Sequence, residues 1–113
     1  MNDRGRSGEE KARKYLAGKG HTIVATGFRS RFGEIDIITE CGEFLVFVEV
    51  KSRRNASFAY AREHVGKVKQ RKLIKTANYW LLKNKTNLQP RFDVVEIYSD
   101  YNEIIHIENA FGV

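Results

Sequence analysis

The sequence predicts one α/β domain over residues 1–113, with a mixed central sheet flanked by helices in the order α-β-β-β-α-β-β. A chain of 113 residues suits one domain with a modest core. Hydrophobic residues make up 42% and charged residues 30%, as is typical of soluble globular proteins. Three successive strands, a crossover helix and a further strand together indicate a mixed sheet with helices packed on it.

The first helix is predicted over residues 6–18. Ser7 is a suitable cap, because Glu10 follows three residues later as a capping-box partner. Glu9, Ala12 and Leu16 share a stripe at about 3.6 residues per turn. Glu9 either stabilises the helix through its place near the N-terminus, where the helix dipole favours acids, or points its carboxylate toward a functional site. The spacing does not decide between these two roles.

The first strand is predicted over residues 21–28, followed by a basic turn over residues 29–32 and a β-hairpin from Gly33 to Arg53. Cys41-Gly42 suits a two-residue turn, because glycine tolerates positive φ. Asp36 then lies opposite Phe47 and diagonal to Glu49 on one face, with the backbones roughly 7–8 Å apart. A register shift of two residues would keep both acids on this face, whereas a shift of one would separate them.

Charged residues end the third strand, directly after an apolar run. Glu49 and Lys51 share one face because strand side chains alternate, and each would be costly to bury without a partner. Carboxylate oxygens suit Mg²⁺ or Mn²⁺, so we predict Asp36, Glu49 and the Val50 carbonyl as metal ligands. Lys51 would orient a water or stabilise charge on a phosphoryl group. In the structural alternative, Asp36 and Lys51 form a buried ion pair.

The second helix is predicted over residues 64–83, after a loop from Arg53 to Tyr60. The loop interleaves basic and aromatic residues, which serve phosphate contacts and base stacking or, alternatively, place the aromatic rings in the core. Gln70 falls on the apolar stripe of the helix, either as a hydrogen-bonded core amide or as a residue that lines the site. The stripe itself consists of Leu73, Ile74, Ala77 and Leu81.

The positive charge is unevenly distributed along the chain. The net charge is +6, yet residues 51–75 hold nine Lys or Arg and one acid, whereas residues 21–50 hold two Arg and five acids. A basic stripe beside an acidic pocket suits a polyanion such as DNA, although a solvated helix face has the same composition. The predicted nucleic-acid contacts are Arg29, Arg31, Arg53, Arg54, Lys67, Lys69, Arg71 and Lys72.

The last two strands are predicted over Arg91–Tyr98 and Glu103–Ile107, joined by a turn at Ser99–Asn102. No apolar run approaches the roughly 18 residues that span a bilayer, so no membrane association is expected. The N-terminus is charged from Asp3 onward, which is unlike a secretory signal. The single Cys41 excludes an internal disulfide and favours a cytoplasmic location.

Four motifs carry a resemblance to a known family. They are G-R-S-G-E at Gly5–Glu9, R-F-G-E-I-D at Arg31–Asp36, V-F-V-E-V-K-S-R at Val46–Arg53 and R-F-D-V-V at Arg91–Val95. By these motifs the chain resembles the YraN-type family of small bacterial proteins, which have a restriction-endonuclease-like fold of the PD-(D/E)xK class, and its core resembles archaeal Holliday-junction resolvases. The match covers nearly the full length.

The resemblance implies a catalytic set and a reaction. Asp36 matches the aspartate of the motif, although Ile35 replaces the proline that usually precedes it, and Glu49 and Lys51 match the (D/E)xK pair. Glu9 and Gln70 match polar positions that related nucleases supply from their helices. A Mg²⁺-dependent endonuclease acting on DNA, including branched or damaged DNA, is therefore expected, and related resolvases imply a homodimer. The alternative is a non-catalytic module that binds nucleic acid or a partner.

Overall fold

A five-stranded sheet lies between two helices in the structure, a computed structural model that describes residues 3–53 and 65–112. The strands lie side by side in chain order; β3 and β4 are parallel and joined through α2, and the other neighbours are antiparallel. The predicted fold class and element order are confirmed. The elements are α1 Asp3–Gly18, β1 Thr22–Ser30, β2 Gly33–Cys41, β3 Phe44–Arg53, α2 Lys67–Lys83, β4 Gln89–Tyr98 and β5 Glu103–Phe111.

Each helix covers one face of the sheet and closes its own core. Ala12 and Leu16 of α1 are fully buried, so the predicted stripe of this helix is confirmed. Leu73 and Ala77 of α2 are buried on the opposite face, as predicted for its apolar stripe. Neither helix in the described part of the chain is long and apolar enough to cross a membrane. The α1-side core contains Ile37, Val46, Val48, Val95 and Ile97; the α2-side core contains Ile35, Ile38, Leu45, Phe47, Phe92 and Val94.

Several element boundaries differ from those predicted. The first helix begins at Asp3, so Ser7 lies within it and is not its cap. The second helix begins at Lys67 rather than residue 64, because Gly66 has an extended backbone at φ −68° and ψ 163°. β1 includes part of the predicted turn and ends at Ser30, and β5 continues beyond Ile107 along β4. Of the predicted loop Arg53–Tyr60, only Arg53 lies within the described residues, and Arg54 lies outside them.

The hairpin turn lies one residue later than predicted. Cys41 pairs with Phe44 and Ile37 pairs with Val48, so the turn residues are Gly42 and Glu43. Gly42 has a φ of +58°. Two-residue hairpin turns favour glycine at a first position with positive φ, so the observed turn is of this kind. The register therefore shifts by two residues, the shift that keeps the same faces.

Strict alternation of side chains is interrupted in β2, next to Asp36. Ile35 and Ile38 both pack in the α2-side core although they are three residues apart, whereas Ile37 packs in the α1-side core. On the neighbouring strand, Gly27 has a φ of +61° in the middle of β1. A strand glycine with positive φ locally changes the twist of the pair. The interruption is thus local, and it occurs where the predicted catalytic aspartate lies.

Candidate functional site

The centre of the candidate site is the pair formed by Asp36 of β2 and Glu49 of β3. The ladder between β2 and β3 ends at the pair of Ile37 and Val48, and Asp36 and Glu49 are the next residues beyond that pair on their strands. The Val50 N–H donates a hydrogen bond of 2.8 Å to Asp36 Oδ2, and Glu49 is only 6% exposed. Burial and then the charge of Glu49 raise the pKa of Asp36 from 3.8 to about 7, against the Val50 hydrogen bond, which lowers it. The two carboxylates therefore repel each other in the folded protein.

Two further acids, Glu9 and Glu34, add negative charge to this pair. Both contribute to the raised pKa of Asp36. Burial raises the pKa of Glu9, and the neighbouring Glu34 raises it further, whereas Arg13 lowers it. Glu34 is paired with Arg29, whose Nε lies 3.0 Å from Glu34 Oε2. The structure thus brings the predicted Glu9 of α1 into the electrostatic environment of Asp36.

Close packing between Gly8 and Ser52 holds the start of α1 against the end of β3. A side-chain carbon at Gly8 would clash with Ser52 Oγ and would lie 3.3 Å from Ser52 Cβ. A residue with a Cβ at this position would force Ser52 to shift, so glycine favours this close approach of the helix to the strand. Glu9 follows Gly8 directly, so this contact sets the distance between Glu9 and the strand that carries Glu49.

Lys69, in the first turn of α2, forms an ion pair with Glu49. The side chain of Glu49 is 7% exposed and that of Lys69 is 51% exposed, so a half-exposed cation partners a buried carboxylate. The sequence placed Lys69 among the DNA contacts and gave no sign of this pair, since the two residues belong to different elements. Among the described residues, Asp36 and Lys51 are not paired, which is contrary to the structural alternative.

Lys51 and Gln70 flank the acids on the α2 side. Lys51 lies level with Glu96 of β4, which is 3% exposed and accepts a hydrogen bond of 2.9 Å from the Tyr98 hydroxyl. Gln70 Nε2 donates a bond of 2.7 Å to the Val65 carbonyl, as expected of a core amide near a helix start. Gln70 and Glu96 also line a cavity of about 200 Å³. The catalytic roles of Lys51 and Gln70 stay predictions.

Basic residues surround the turn between β1 and β2 and the outer side of α2. Ser30 Oγ lies 3.0 Å from Thr76 Oγ1, which ties the turn to the helix. The Arg31 guanidinium and the Lys75 ammonium lie 5.1 Å and 5.2 Å from the centre of the Phe32 ring. Cations of the turn and of α2 therefore form one surface. The exposed predicted contacts on this surface and along α2 are Arg29, Arg31, Lys67, Lys69, Arg71 and Lys72.

A second charged cluster, centred on Asp93 of β4, is absent from the sequence predictions. Asp93 is fully buried and accepts two bonds of 2.9 Å from Arg91, one of 3.0 Å from the Asn109 N–H and one contact of 2.7 Å with His106 Nε2. Burial alone would raise the pKa of Asp93, but the bonds from His106, Arg91 and Asn109 lower it below 3.8. An acid within the apolar strand R-F-D-V-V was the available signal. Each oxygen is satisfied, so this cluster is a structural clamp between β4 and β5.

The chemistry of the donors at Asp36 and Glu49 fits a divalent cation. The two carboxylates and the predicted third ligand, the Val50 carbonyl, are all hard oxygen ligands, which suit Mg²⁺ bound with several waters. Within residues 3–53 and 65–112, no three side chains of His, Cys, Asp or Glu group closely enough to hold a metal ion. The predicted ligands are two carboxylate side chains, Asp36 and Glu49, and one backbone oxygen, that of Val50. A metal ion would therefore have to bind with only two protein side chains.

Comparison with known proteins places the chain within a large group of similar sequences. The sequence model described as "Uncharacterised protein family UPF0102" matches residues 8–97. A UPF0102 protein from Persephonella marina is 46% identical over 111 residues, which cover 97% of this chain and 94% of that protein. A UPF0102 protein from Clostridioides difficile is 44% identical over 110 residues, which cover 96% of each chain. The resemblance to the YraN-type family is confirmed by these matches.

One similar solved structure is that of SfsA from Pyrococcus furiosus in complex with Ca²⁺. It is 17% identical, and the alignment covers 97% of this chain and 64% of that one with a TM-score of 0.34. A likeness at this level supports no argument about ligands or activity, so function has to be inferred from the site itself.

Proposed function

Because this chain belongs to the uncharacterised protein family UPF0102, whose description states no activity, we propose from its site that it is a Mg²⁺- or Mn²⁺-dependent endonuclease that hydrolyses DNA phosphodiester bonds. The observation that carries the proposal is the pair of Asp36, which is half-buried, and Glu49, which is buried: burial and then the charge of Glu49 raise the pKa of Asp36 to about 7. Two neighbouring carboxylates are costly to desolvate, and a divalent cation bound by both would remove that cost.

The residues of the site have distinct proposed roles. Asp36, Glu49 and the Val50 carbonyl would hold the ion, which when bound supplies Lewis-acid activation of water and offsets charge on the phosphodiester. Lys51 orients the attacking water or stabilises the charge that develops on the phosphate. Glu9 adds negative charge on the α1 side of the pair, where it favours binding of the cation. Gln70 orients groups on the α2 side.

The basic surface accounts for the choice of DNA as substrate. Cations of the β1–β2 turn and of α2 lie on the side of the molecule from which Lys69 reaches Glu49. Lysine and arginine side chains bind phosphates in any duplex, so this surface favours nucleic acid without sequence preference. Branched or damaged DNA is the proposed substrate class, following the resemblance to resolvases.

A second candidate function, a non-catalytic module that binds nucleic acid, is favoured by one specific observation. Glu49 is already paired with Lys69, so half of the acid pair has a counter-ion within the chain. A binding module would use the same basic surface and would not need a metal. The two functions therefore differ in cleavage and in their response to metal.

A cleavage assay separates them. Linear, flap and four-way DNA substrates are incubated with the protein in Mg²⁺, in Mn²⁺ and in chelator. The endonuclease cuts at least one substrate only when metal is present, Asp36→Asn abolishes the cut, and Glu40→Gln, an exposed acid on the same strand, leaves it intact. Binding without cleavage of any substrate under all conditions supports the module instead.

Calorimetric melting tests the acid pair without any assumption about the substrate. A ligand that binds only the folded state stabilises it by RT ln(1 + [L]/Kd), so Mn²⁺ should raise the melting temperature of the wild type. Asp36→Asn should lose this response, whereas Lys51→Ala should keep it while turnover falls. If both variants melt much lower than the wild type and Mn²⁺ shifts none of the three, the cluster is structural and the proposed function fails.

A further inference from the structure

We infer that Lys69 is an exchangeable counter-ion that occupies Glu49 in the absence of metal and is displaced when a divalent cation binds. The inference rests on the function proposed above and assigns Lys69 a positioning role in the site, in addition to its predicted contact with DNA. The contact that carries it is the ion pair between the Lys69 ammonium and Glu49 Oε2.

The place of Lys69 in the helix is the first argument. It lies in the first turn of α2, where two lysines and no acid are found. The helix dipole favours acids in the first turn and disfavours cations there. Helix stability therefore does not explain a lysine at this position. Its ion pair with the buried carboxylate of Glu49 explains it instead.

The asymmetry of burial is the second argument. The carboxylate of Glu49 is nearly inaccessible, with 7% of its side chain exposed, while Lys69 is half-exposed on a flexible stem. The ammonium is thus the partner that can leave, because water solvates it as soon as its side chain swings outward. The buried carboxylate of Glu49 stays in place, and it pairs with either the ammonium or a metal ion.

Competition for one carboxylate is the third argument. The Lys69 ammonium lies against Glu49 Oε2, so a metal ion that takes this oxygen as a ligand has to displace the ammonium. The ammonium has no lone pair when protonated and cannot join the ligand set. Metal and Lys69 therefore exclude each other at Glu49. A displaced Lys69 lies free at the edge of the site, where a DNA phosphate would meet it.

The test measures Mn²⁺ affinity from the paramagnetic resonance signal of the free ion. Wild type, Lys69→Met and Lys69→Gln are compared with Lys75→Met, which removes the same charge from the same helix but lies over Phe32. If the ion pair is formed about nine-tenths of the time, its removal should tighten Mn²⁺ binding about tenfold, because apparent affinity scales with the competent fraction. Lys75→Met should change the affinity much less.

A second readout follows the ammonium itself. Lysines are acetylated with an activated ester, with and without saturating Mg²⁺, and the modified sites are quantified by mass spectrometry. Mg²⁺ should raise the modification of Lys69 severalfold and leave that of Lys75 unchanged. Circular dichroism confirms that each variant is folded.

The outcomes separate this inference from the proposed function. If wild type and both Lys69 variants bind Mn²⁺ equally, or the variants bind it more weakly, the exchange is wrong while the metal site stands. If none of the folded proteins binds Mn²⁺, the metal site and the exchange are both wrong. Binding by the Lys69 variants alone supports the exchange in its strongest form.

Discussion

Two aspartates interrupt the apolar strands of the sheet, and their surroundings differ. Asp93 receives four contacts from Arg91, His106 and Asn109, so its charge is compensated and its pKa is lowered. Asp36 receives one hydrogen bond, from the Val50 N–H, and lies beside other acids, so its pKa is raised. A buried acid with many donors stabilises a fold, whereas a desolvated acid with few donors is a candidate for a functional role. This contrast distinguishes the two residues where their sequence contexts do not.

The raised pKa of Asp36 predicts an unusual response to Asp36→Asn. Between pH 3.8 and about 7 the folded protein keeps a proton that the unfolded chain releases, so the stability of the wild type falls as pH rises through this window. In chelator at pH 8 the variant should therefore exceed the wild type by up to about 4 kcal/mol. The gain should vanish near pH 4. Melting curves between these values measure it, with Glu40→Gln as control, and a variant less stable at pH 8 would falsify the interpretation.

Asp93→Asn should have the opposite effect. Removing the charge leaves Arg91 and His106 without their buried partner, which should cost about 3–5 kcal/mol at neutral pH. Because the pKa of Asp93 is lowered in the folded state, its stabilisation is present above pH 3.8 and is lost as pH falls below that value. The gap between variant and wild type should therefore close in acid. Urea unfolding at several pH values measures this gap, and Asp100→Asn, an exposed turn residue, should change stability by less than about 0.5 kcal/mol.

At the scale of elements, periodicity predicts which segments are helices and strands and in what order. It does not predict which two residues form the hairpin turn, because Cys41-Gly42 and Gly42-Glu43 both place the glycine in the turn. A strict alternation of side chains also does not predict the interruption of β2 beside Asp36. The pair between Lys69 and Glu49 depends on how α2 packs on the sheet, and no pattern within either segment encodes that packing. The candidate residues Asp36 and Glu49 could thus be proposed from the sequence, whereas the ion pair of Glu49 with Lys69 could not.

The packing of α1 on β3 predicts a reversal of the usual glycine effect. In a helix interior, Gly→Ala normally stabilises by about 1 kcal/mol. Gly8→Ala should instead destabilise by about 1–3 kcal/mol, because its new methyl group clashes with Ser52. Gly18→Ala, whose Cβ meets open space, is the matched control and should be neutral or stabilising. Thermal melting measures both, and recovery in Gly8→Ala/Ser52→Gly identifies Ser52 as the cause; a Gly8→Ala protein more stable than wild type would contradict the packing.

The outer face of α2 predicts the salt dependence of DNA binding. Each phosphate neutralised by the protein steepens the fall of log K with log salt by about 0.9 for duplex DNA. Charge reversal at Lys69, Arg71 and Lys72 should flatten this slope. Reversal at Lys11 and Lys14, exposed on α1 across the sheet, is the matched control and should change it much less. Titrations of a labelled duplex between about 50 and 200 mM salt measure the slopes; equal slopes for wild type and the α2 variant would mean that this face is ordinary solvated surface.

At the scale of the whole molecule, the described part of the fold places the candidate site at one acid pair, Asp36 and Glu49. The pair lies where β2 and β3 meet, in the interior of the sheet order, with α1 on one face and α2 on the other. In the proposed function, one chain would therefore act on one phosphodiester at a time. A substrate in which two strands are cut, such as a duplex or a four-way junction, requires a second copy of the site.

This geometry predicts a two-fold homodimer, at least on DNA. Closed two-fold symmetry is the commonest arrangement of soluble oligomers, and it would direct two identical sites at two antiparallel strands. Light scattering at working concentration, with and without a four-way junction, measures the assembly, and on the junction the protein share of the mass should equal two chains. A protein that is monomeric in both conditions contradicts the predicted dimer. The proposed activity would then consist of nicking a single strand. The two results are distinguishable in the cleavage assay itself, because a dimer resolves a junction by paired cuts whereas a monomer releases singly nicked products.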